Sequence, residues 1–472
     1  MTADSQQLFQ QGLEYHQGGR IDEALLCYRQ VVEIAPDFFE AHGLMGLLLD
    51  LQGEHRQAED CYRNALNLRP DVPEILLALG NVLRVQKKLG EAETIIQKSL
   101  NLDPENVEGH CALGIVLKAL DRPDEAAIHF TRALEIDPQN AQAHNCLGVE
   151  LTEQGDGAAA ETAFRKAIDC DSAFVSAHVN LAEALSKSGR HADARTCYQK
   201  ALSLAPEDAD IYGDFFLGLM REGDQETALS MCDTILEKFP GNVDALAFKS
   251  AVLHELDRTP EATVLFDCDR FLRAHVIEAP DGYADLAAYN GALSKHVLGH
   301  PTLVQSTSQN ATRFGGHTGD LLSEPKGPMA DFETVISSAV TEYIKQLPNE
   351  AAHPFLAGVL SQWSLTVWAV VMGDKGHQIS HTHPSAWLSG VYYPSVPDDI
   401  GADIGTGDDA LAGWIEFGRP DDEIKITREP LVERIQPKNG LCVLFPSYFY
   451  HNTVPYTGSG TRISIAFDVV KN

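Results

Sequence analysis

Basic residues are scarce in this chain: 36 lysines and arginines face 68 aspartates and glutamates, for a net charge of −32 over 472 residues. The deficit is uneven, with 46 acidic against 23 basic residues in 1–272 and 22 against 13 beyond. A surface of that sign repels phosphate backbones, which argues against nucleic acid and leaves solubility, or a basic protein partner, as its use. Paired cysteines are missing too. The nine cysteines are scattered without a C-x-x-C, so neither a zinc knuckle nor a disulfide framework is expected. Cys27, Cys61 and Cys197 share one place in a repeat and read as small buried apolar groups. No apolar run reaches the roughly 18 residues of a membrane span, and MTADSQQLFQQG has no basic stretch leading into an apolar one. A cytoplasmic setting fits these absences. Tryptophan is rare, and all four (Trp363, Trp368, Trp387, Trp414) fall late. The length by itself predicts two or three domains.

What is abundant is a beat. Pro36, Pro70, Pro104, Pro138, Pro206 and Pro240 lie 34 residues or twice 34 apart, with Ser172 in the missing place. Alanines keep the period from Ala24 through Ala58, Ala92, Ala126, Ala160, Ala194 and Ala228 to Ala262, and glycines from Gly12 to Gly148. An aromatic follows the alanine by four at Tyr28, Tyr62, Phe130, Phe164, Tyr198 and Phe266. The small residues belong where two helices of a hairpin approach closely, the aromatic lies on the alanine's face, and the proline ends the second helix. Over about residues 5–270 the chain resembles the tetratricopeptide family, whose period this is. Seven full repeats and a last one at about 243–272 are expected to stack as an all-α solenoid. Such arrays offer a groove to a protein or peptide, and the acidity here favours a basic one; a spacer or dimerisation arm is the alternative. His110, His144 and His178 also recur every 34 residues. Neighbours a whole repeat apart make a poor metal row, so they read as surface or groove residues.

After Arg270 the beat stops, which sets the domains at 1–272 and 273–472. Residues 330–347 look helical and 305–320 (QSTSQNATRFGGHTGD) loop-like. Eight short runs follow: SLTVWAVVM, GHQISHTH, WLSGVYYP, GWIEFG, PLVERIQP, GLCVLFP, FYHNTV and TRISIAFDVV. Rich in β-branched and aromatic residues and punctuated by Gly, Pro, Asn and Asp, they predict a sandwich or jelly roll with flanking helices. Residues 394–409, acidic and glycine-rich, read as a long exposed loop without the spacing of a calcium site.

The chemistry lies in residues 381–383, His-Thr-His. In a strand, side chains alternate faces, so His381 and His383 would project together. A third ligand should come from a late strand, and His451 after LFPSYFY is the natural candidate. Such an imidazole site suits iron, zinc, copper or nickel. Arg462 follows, in TRISIAF. In this order the sequence resembles the 2-oxoglutarate- and Fe(II)-dependent dioxygenases, and SGVYYP resembles prolyl-hydroxylase-like members; the resemblance covers about residues 275–472. It implies a double-stranded β-helix in which His381, His383 and His451 hold Fe(II). It also implies that Arg462, Ser464 and Tyr393 hold the far carboxylate of 2-oxoglutarate, that oxygen is consumed, and that a substrate is hydroxylated. A guanidinium fork suits a carboxylate at the end of a dry pocket. One departure stands out: the family's proximal motif usually ends in a carboxylate, where this chain has His383. His383 is taken to coordinate; it can also stand aside, or the iron site can be degraded. Asp374 and Glu416 are available carboxylates without the right spacing, and His377 is expected at the mouth of the site or behind a ligand. Two rivals remain. A cupin would need a Glu soon after H-x-H and a P-x-G before the last His, neither of which is present. A non-catalytic adaptor would work through the array alone.

Overall fold

The computed structural model describes residues 3–305, 311–348, 350, 353–398, 400, 411–456 and 460–471. The loop expected at 394–409 thus lies largely outside the described residues, as does 306–310 of the one expected at 305–320. The chain forms two compact units, Met1–Ala205 and Pro206–Asn472. The end of the repeat pattern near residue 272 falls inside the second unit.

The first unit is all helical among its described residues, from α1 (Ala3–Gln17) to α12 (His191–Leu204). Each odd-numbered helix packs on the even-numbered one that follows. The repeat residues explain why. Ala24, Ala58, Ala92, Ala126 and Ala160 are fully buried, and a Cβ added to Gly12, Gly46, Gly114 or Gly148 would enter the ring of Tyr28, Tyr62, Phe130 or Phe164. Glycine is there because the aromatic of the partner helix takes the space. Cys27 and Cys61 are buried, as expected, whereas Cys197 is only half-buried.

The histidine row is neither surface nor groove. His110, His144 and His178 are buried, and each directs Nε2 at the carbonyl oxygen six residues earlier, of Pro104, Pro138 and Ser172, at 3.0 Å. His42 does the same to Pro36. A carbonyl only accepts, so Nε2 is the donor. The period that suggested an exposed row reflects one turn, closed by the same bond in successive repeats.

In the second unit, α13 (Ala209–Glu222), α14 (Gln225–Lys238), α15 (Val243–Glu255) and α16 (Thr259–Leu265) continue the helix pairs, followed by the short α17 (Cys268–Phe271). The strands are β1 (Arg273–Val276), β2 (Val304–Gln305), β3 (Thr312–His317), β4 (Trp363–Gln378), β5 (Leu388–Ser395), β6 (Ile415–Phe417), β7 (Glu433–Ile435), β8 (Leu441–Pro446), β9 (His451–Thr453) and β10 (Arg462–Lys471). One sheet runs β1-β8-β5-β10-β4-β3-β2 and a second runs β7-β6-β9, with antiparallel pairing throughout. This is an antiparallel sheet domain consistent with the expected jelly roll. Helices α18 (Leu286–Leu298) and α19 (Met329–Gln346) carry residues that cover one face of the larger sheet. Tyr392 donates to Asn290 there, and Phe332 meets Tyr392 and Phe467 edge-on. A last helical turn, α20 (Pro354–Ala357), precedes β4.

Two expectations need correction. Residues 312–317, read as loop for their glycines, form β3: at the edge of the sheet, pairing with β4 supplies what the side chains do not. The strand expected over GHQISHTH ends at Gln378.

Replacing Gly148 by alanine tests the close approach. Overpacking costs about 1–3 kcal/mol, against a helix-propensity gain of about 0.5–1 kcal/mol. The variant should therefore be less stable in a urea titration, and a gain in stability would contradict the packing.

Candidate metal centre

His381 and His451, seventy residues apart, meet through their backbones. The His381 N–H donates to the His451 carbonyl (3.2 Å) and the His451 N–H to the His381 carbonyl (3.1 Å), an isolated antiparallel bridge. His383 lies outside any strand, with its N–H on the Ser447 carbonyl at 3.2 Å. Pro384 lacks an N–H and disturbs the residue before it, so a ladder cannot run through this triplet. The two side chains therefore do not share a side by strand alternation, yet they converge. One ring nitrogen from each of His381, His383 and His451 lies within 4.8 Å of the others, and the ring centroids are 4.3–5.2 Å apart.

The tautomers follow from the partners. Nδ1 of His381 faces the Ile379 carbonyl (2.8 Å), Nδ1 of His451 the Phe449 carbonyl (3.1 Å), and Nδ1 of His383 the Asp468 carboxylate (2.6 Å). All three acceptors require an N–H at Nδ1, so in the neutral ring the lone pair is on Nε2. Such bonds at the far nitrogen orient metal-ligating histidines, and bonds of about 2.1 Å to one ion span this separation with little closure. Burial, with each ring's imidazole neighbours, holds His381 down at about 4 and His451 well below the ordinary histidine value. Both are neutral at pH 7, as ligands must be. Phe445, Phe417 and Trp368 wall the cluster.

Arg462 and Ser464, expected to hold the cosubstrate, share one sheet face. Alternation along β10 puts Arg462, Ser464 and Asp468 on one side, and β5 brings Ser389 opposite Asp468. Arg462 is buried; its guanidinium donates to the Gly413 carbonyl (2.7 Å) and sits 3.4 Å from the Tyr393 hydroxyl. Its Nε has no partner among the described residues. Among the described residues no carboxylate pairs with it. Burial pushes its pKa down and that of Tyr393 up. Ser464 is buried, with its hydroxyl 3.4 Å from the Val370 carbonyl. A dry cationic fork with an idle N–H fits an incoming carboxylate.

Residues 366–468 match a family model described as "Putative 2OG-Fe(II) oxygenase". Residues 12–135 match the middle TPR-like domain of cilia and flagella-associated protein 70, and 111–174 and 175–208 match tetratricopeptide repeats. The chain thus joins a stretch that matches tetratricopeptide repeats to one that matches the 2OG-Fe(II) oxygenase model. Among solved structures it is similar to a tetratricopeptide repeat protein from Parabacteroides merdae (15% identity, 53% of this chain and 100% of that one, TM-score 0.46). It is also similar to pilF of Pseudomonas aeruginosa (21%, 45% and 96%, TM-score 0.38) and to a thermophilic tetratricopeptide protein of Thermus thermophilus (22%, 39% and 99%, TM-score 0.37). No curated protein matches.

Within the sheet domain the other candidates are accounted for. Glu416 is buried between Arg419 (2.7 Å) and Arg434 (2.6 Å), so its charge is spent. Asp374 is exposed. His377 bonds the Lys375 carbonyl and faces Phe314, outside the cluster. Sequence reasoning missed Asp468, Ser389 and Ser447, whose hydroxyls and carboxylate form one chain behind His383. Period-two spacing from Arg462 was the signal that could have found Asp468. It also missed the last helices. Asp244, in the first turn of α15, accepts from Thr382 (3.1 Å), and burial raises its pKa. Tyr448 donates to the Leu265 carbonyl (2.6 Å), and Phe449 packs on Phe266 at 4.8 Å.

Two expectations follow. Depressed histidine pKa values mean that the unfolded chain binds more protons, so metal-free stability is full above about pH 6.5 and falls as the pH drops from there toward 4. Melting with a chelator present should show that slope, reduced in a His381→Phe/His451→Phe variant; an unchanged slope would refute the neutral cluster. Because the final helices brace both ligand segments, a chain starting at Pro206 should bind Co(II) like the full protein. One starting at Arg273 should bind it at least about tenfold more weakly.

Proposed function

We propose that residues 273–472 form a 2-oxoglutarate- and Fe(II)-dependent dioxygenase that hydroxylates a protein or peptide side chain recruited by the tetratricopeptide array of residues 1–272. The observation that carries this reading is the buried Arg462 guanidinium, its Nε without a partner among the described residues, on the sheet face that leads to the three clustered histidines. The family match over 366–468 supports the same class of enzyme.

In this reading His381, His383 and His451 hold Fe(II) through Nε2. Arg462, with Tyr393 and Ser464, receives the distal carboxylate of 2-oxoglutarate. Bound iron with 2-oxoglutarate and oxygen supplies the oxidising chemistry, leaving succinate and carbon dioxide. The chain's own work is geometry and dryness: Phe417, Phe445 and Trp368 keep water from the ring cluster, and the Nδ1 acceptors fix the three imidazoles. The acidity of 1–272 favours a basic protein or peptide partner over nucleic acid. No helix among the described residues is long and apolar enough to cross a membrane. Nine free thiols support a cytoplasmic setting.

Succinate formation from 2-oxoglutarate, followed by NMR with Fe(II) and oxygen, tests the proposal. His451→Ala should abolish it. Arg462→Ala should weaken 2-oxoglutarate binding by about 30-fold or more, the usual cost of removing one side of a buried charged contact. Parent protein that makes no succinate, or variants that match the parent, would sink the proposal in favour of an adaptor whose array does the work.

A further inference from the structure

The carboxylate nearest the histidine cluster is one imidazole removed from it. Asp468 Oδ1 accepts from His383 Nδ1 at 2.6 Å and from the Ser389 hydroxyl at 2.6 Å, and Ser447 donates to Ser389 at 2.8 Å. The side chains of His383 and Asp468 are only 12% and 13% exposed. Water therefore does little to weaken the bond, which is as short as charge-assisted pairs become. Among the described residues His383 is the ion-pair partner recorded for Asp468. Glu416, the other buried acid of this sandwich, is by contrast neutralised by two arginines. With Nδ1 tied to the carboxylate, Nε2 of His383 is aimed at the opposite edge of the ring, toward His381 and His451. Imidazole ligands bring no negative charge to a divalent ion; Asp468 places a carboxylate directly behind His383 and fixes the plane of that ring.

We propose that Asp468, held by Ser389 and Ser447, is the positioning residue that makes His383 a metal ligand and supplies the centre's negative charge. This rests on the three histidines being a metal centre and is independent of whether 2-oxoglutarate is turned over.

The test is anaerobic Co(II) titration of the full chain, read from the visible bands of the bound ion. Asp468→Ala should weaken Co(II) binding about 10–100-fold. Asp468→Asn, which keeps an acceptor and removes the charge, should fall between it and the parent, and Ser389→Ala should show a smaller loss. In a His383→Ala background the Asp468→Ala change should cost nothing further, within about twofold, because the two act as a unit. A purely structural aspartate would cost the same in both backgrounds, and that result overturns the proposal. So does parent-like affinity in Asp468→Ala. If that variant does not fold, the Asn and Ser389→Ala variants decide by the same comparison. Co(II) affinities that follow this pattern in a protein making no succinate would defeat the dioxygenase reading and leave this one standing.

Discussion

Two backbone hydrogen bonds between His381 and His451 are the constraint on which the rest of the site depends. They cross-tie a segment that has just left β4 to the first residue of β9, and they do so at the residues whose rings must meet. A regular ladder would have set the rings by alternation, but it would also have fixed their spacing by the pleat. A lone bridge leaves the rings free to be aimed by their own Nδ1 bonds, each to an oxygen that can only accept. Burial then keeps His381 and His451 neutral. Three lone pairs facing one another repel and gain nothing until a cation stands between them.

The Arg462 end of the site obeys the same logic with the sign reversed. An arginine cannot shed its proton, and an ion held in a protein interior without a full set of partners costs several kcal/mol. Gly413 and Tyr393 offset part of that for Arg462, but neither is an anion and Nε is left idle. Strand β10 carries both poles on one face, the guanidinium at Arg462 and the carboxylate at Asp468. A ligand that is anionic at one end and binds metal at the other would complete both. That complementarity favours a diacid over a cupin-type ligand with no far carboxylate.

The repeat array was legible because its period is a packing period: glycine against an aromatic ring every 34 residues leaves a trace in the letters themselves. The histidine row left the same kind of trace and was misread, since a periodic polar residue looks exposed until its carbonyl partner is known. Strand β3 was illegible for a complementary reason: Thr-Arg-Phe-Gly-Gly-His has no strand pattern, and only its neighbour β4 makes it one. At the site, residue types and order pointed to three histidines that the structure brings together and to an arginine that it buries. The support behind His383 was hidden, although Asp468 sits at an even step from Arg462, because a rule for ligands looks beside the histidine and not across the sheet.

The division of the chain at 205/206 has a physical cause that the repeat pattern cannot reveal. The segment Ser447–His451 must approach His381 without belonging to its strand, so something outside the sheet has to hold it. The final helices do: Leu265 accepts from Tyr448, Phe266 packs on Phe449, and Asp244 holds Thr382 between the two early histidines. Farther out, Glu255 accepts from Thr427, and Arg428 pairs with Asp257 at 2.7 Å. Helices α15 and α16 are repeats by sequence and part of the site by contact. One hydrogen bond, from Thr382 to Asp244, joins α15 to the residue between the two early histidines, so this helix is built into the site rather than set beside it.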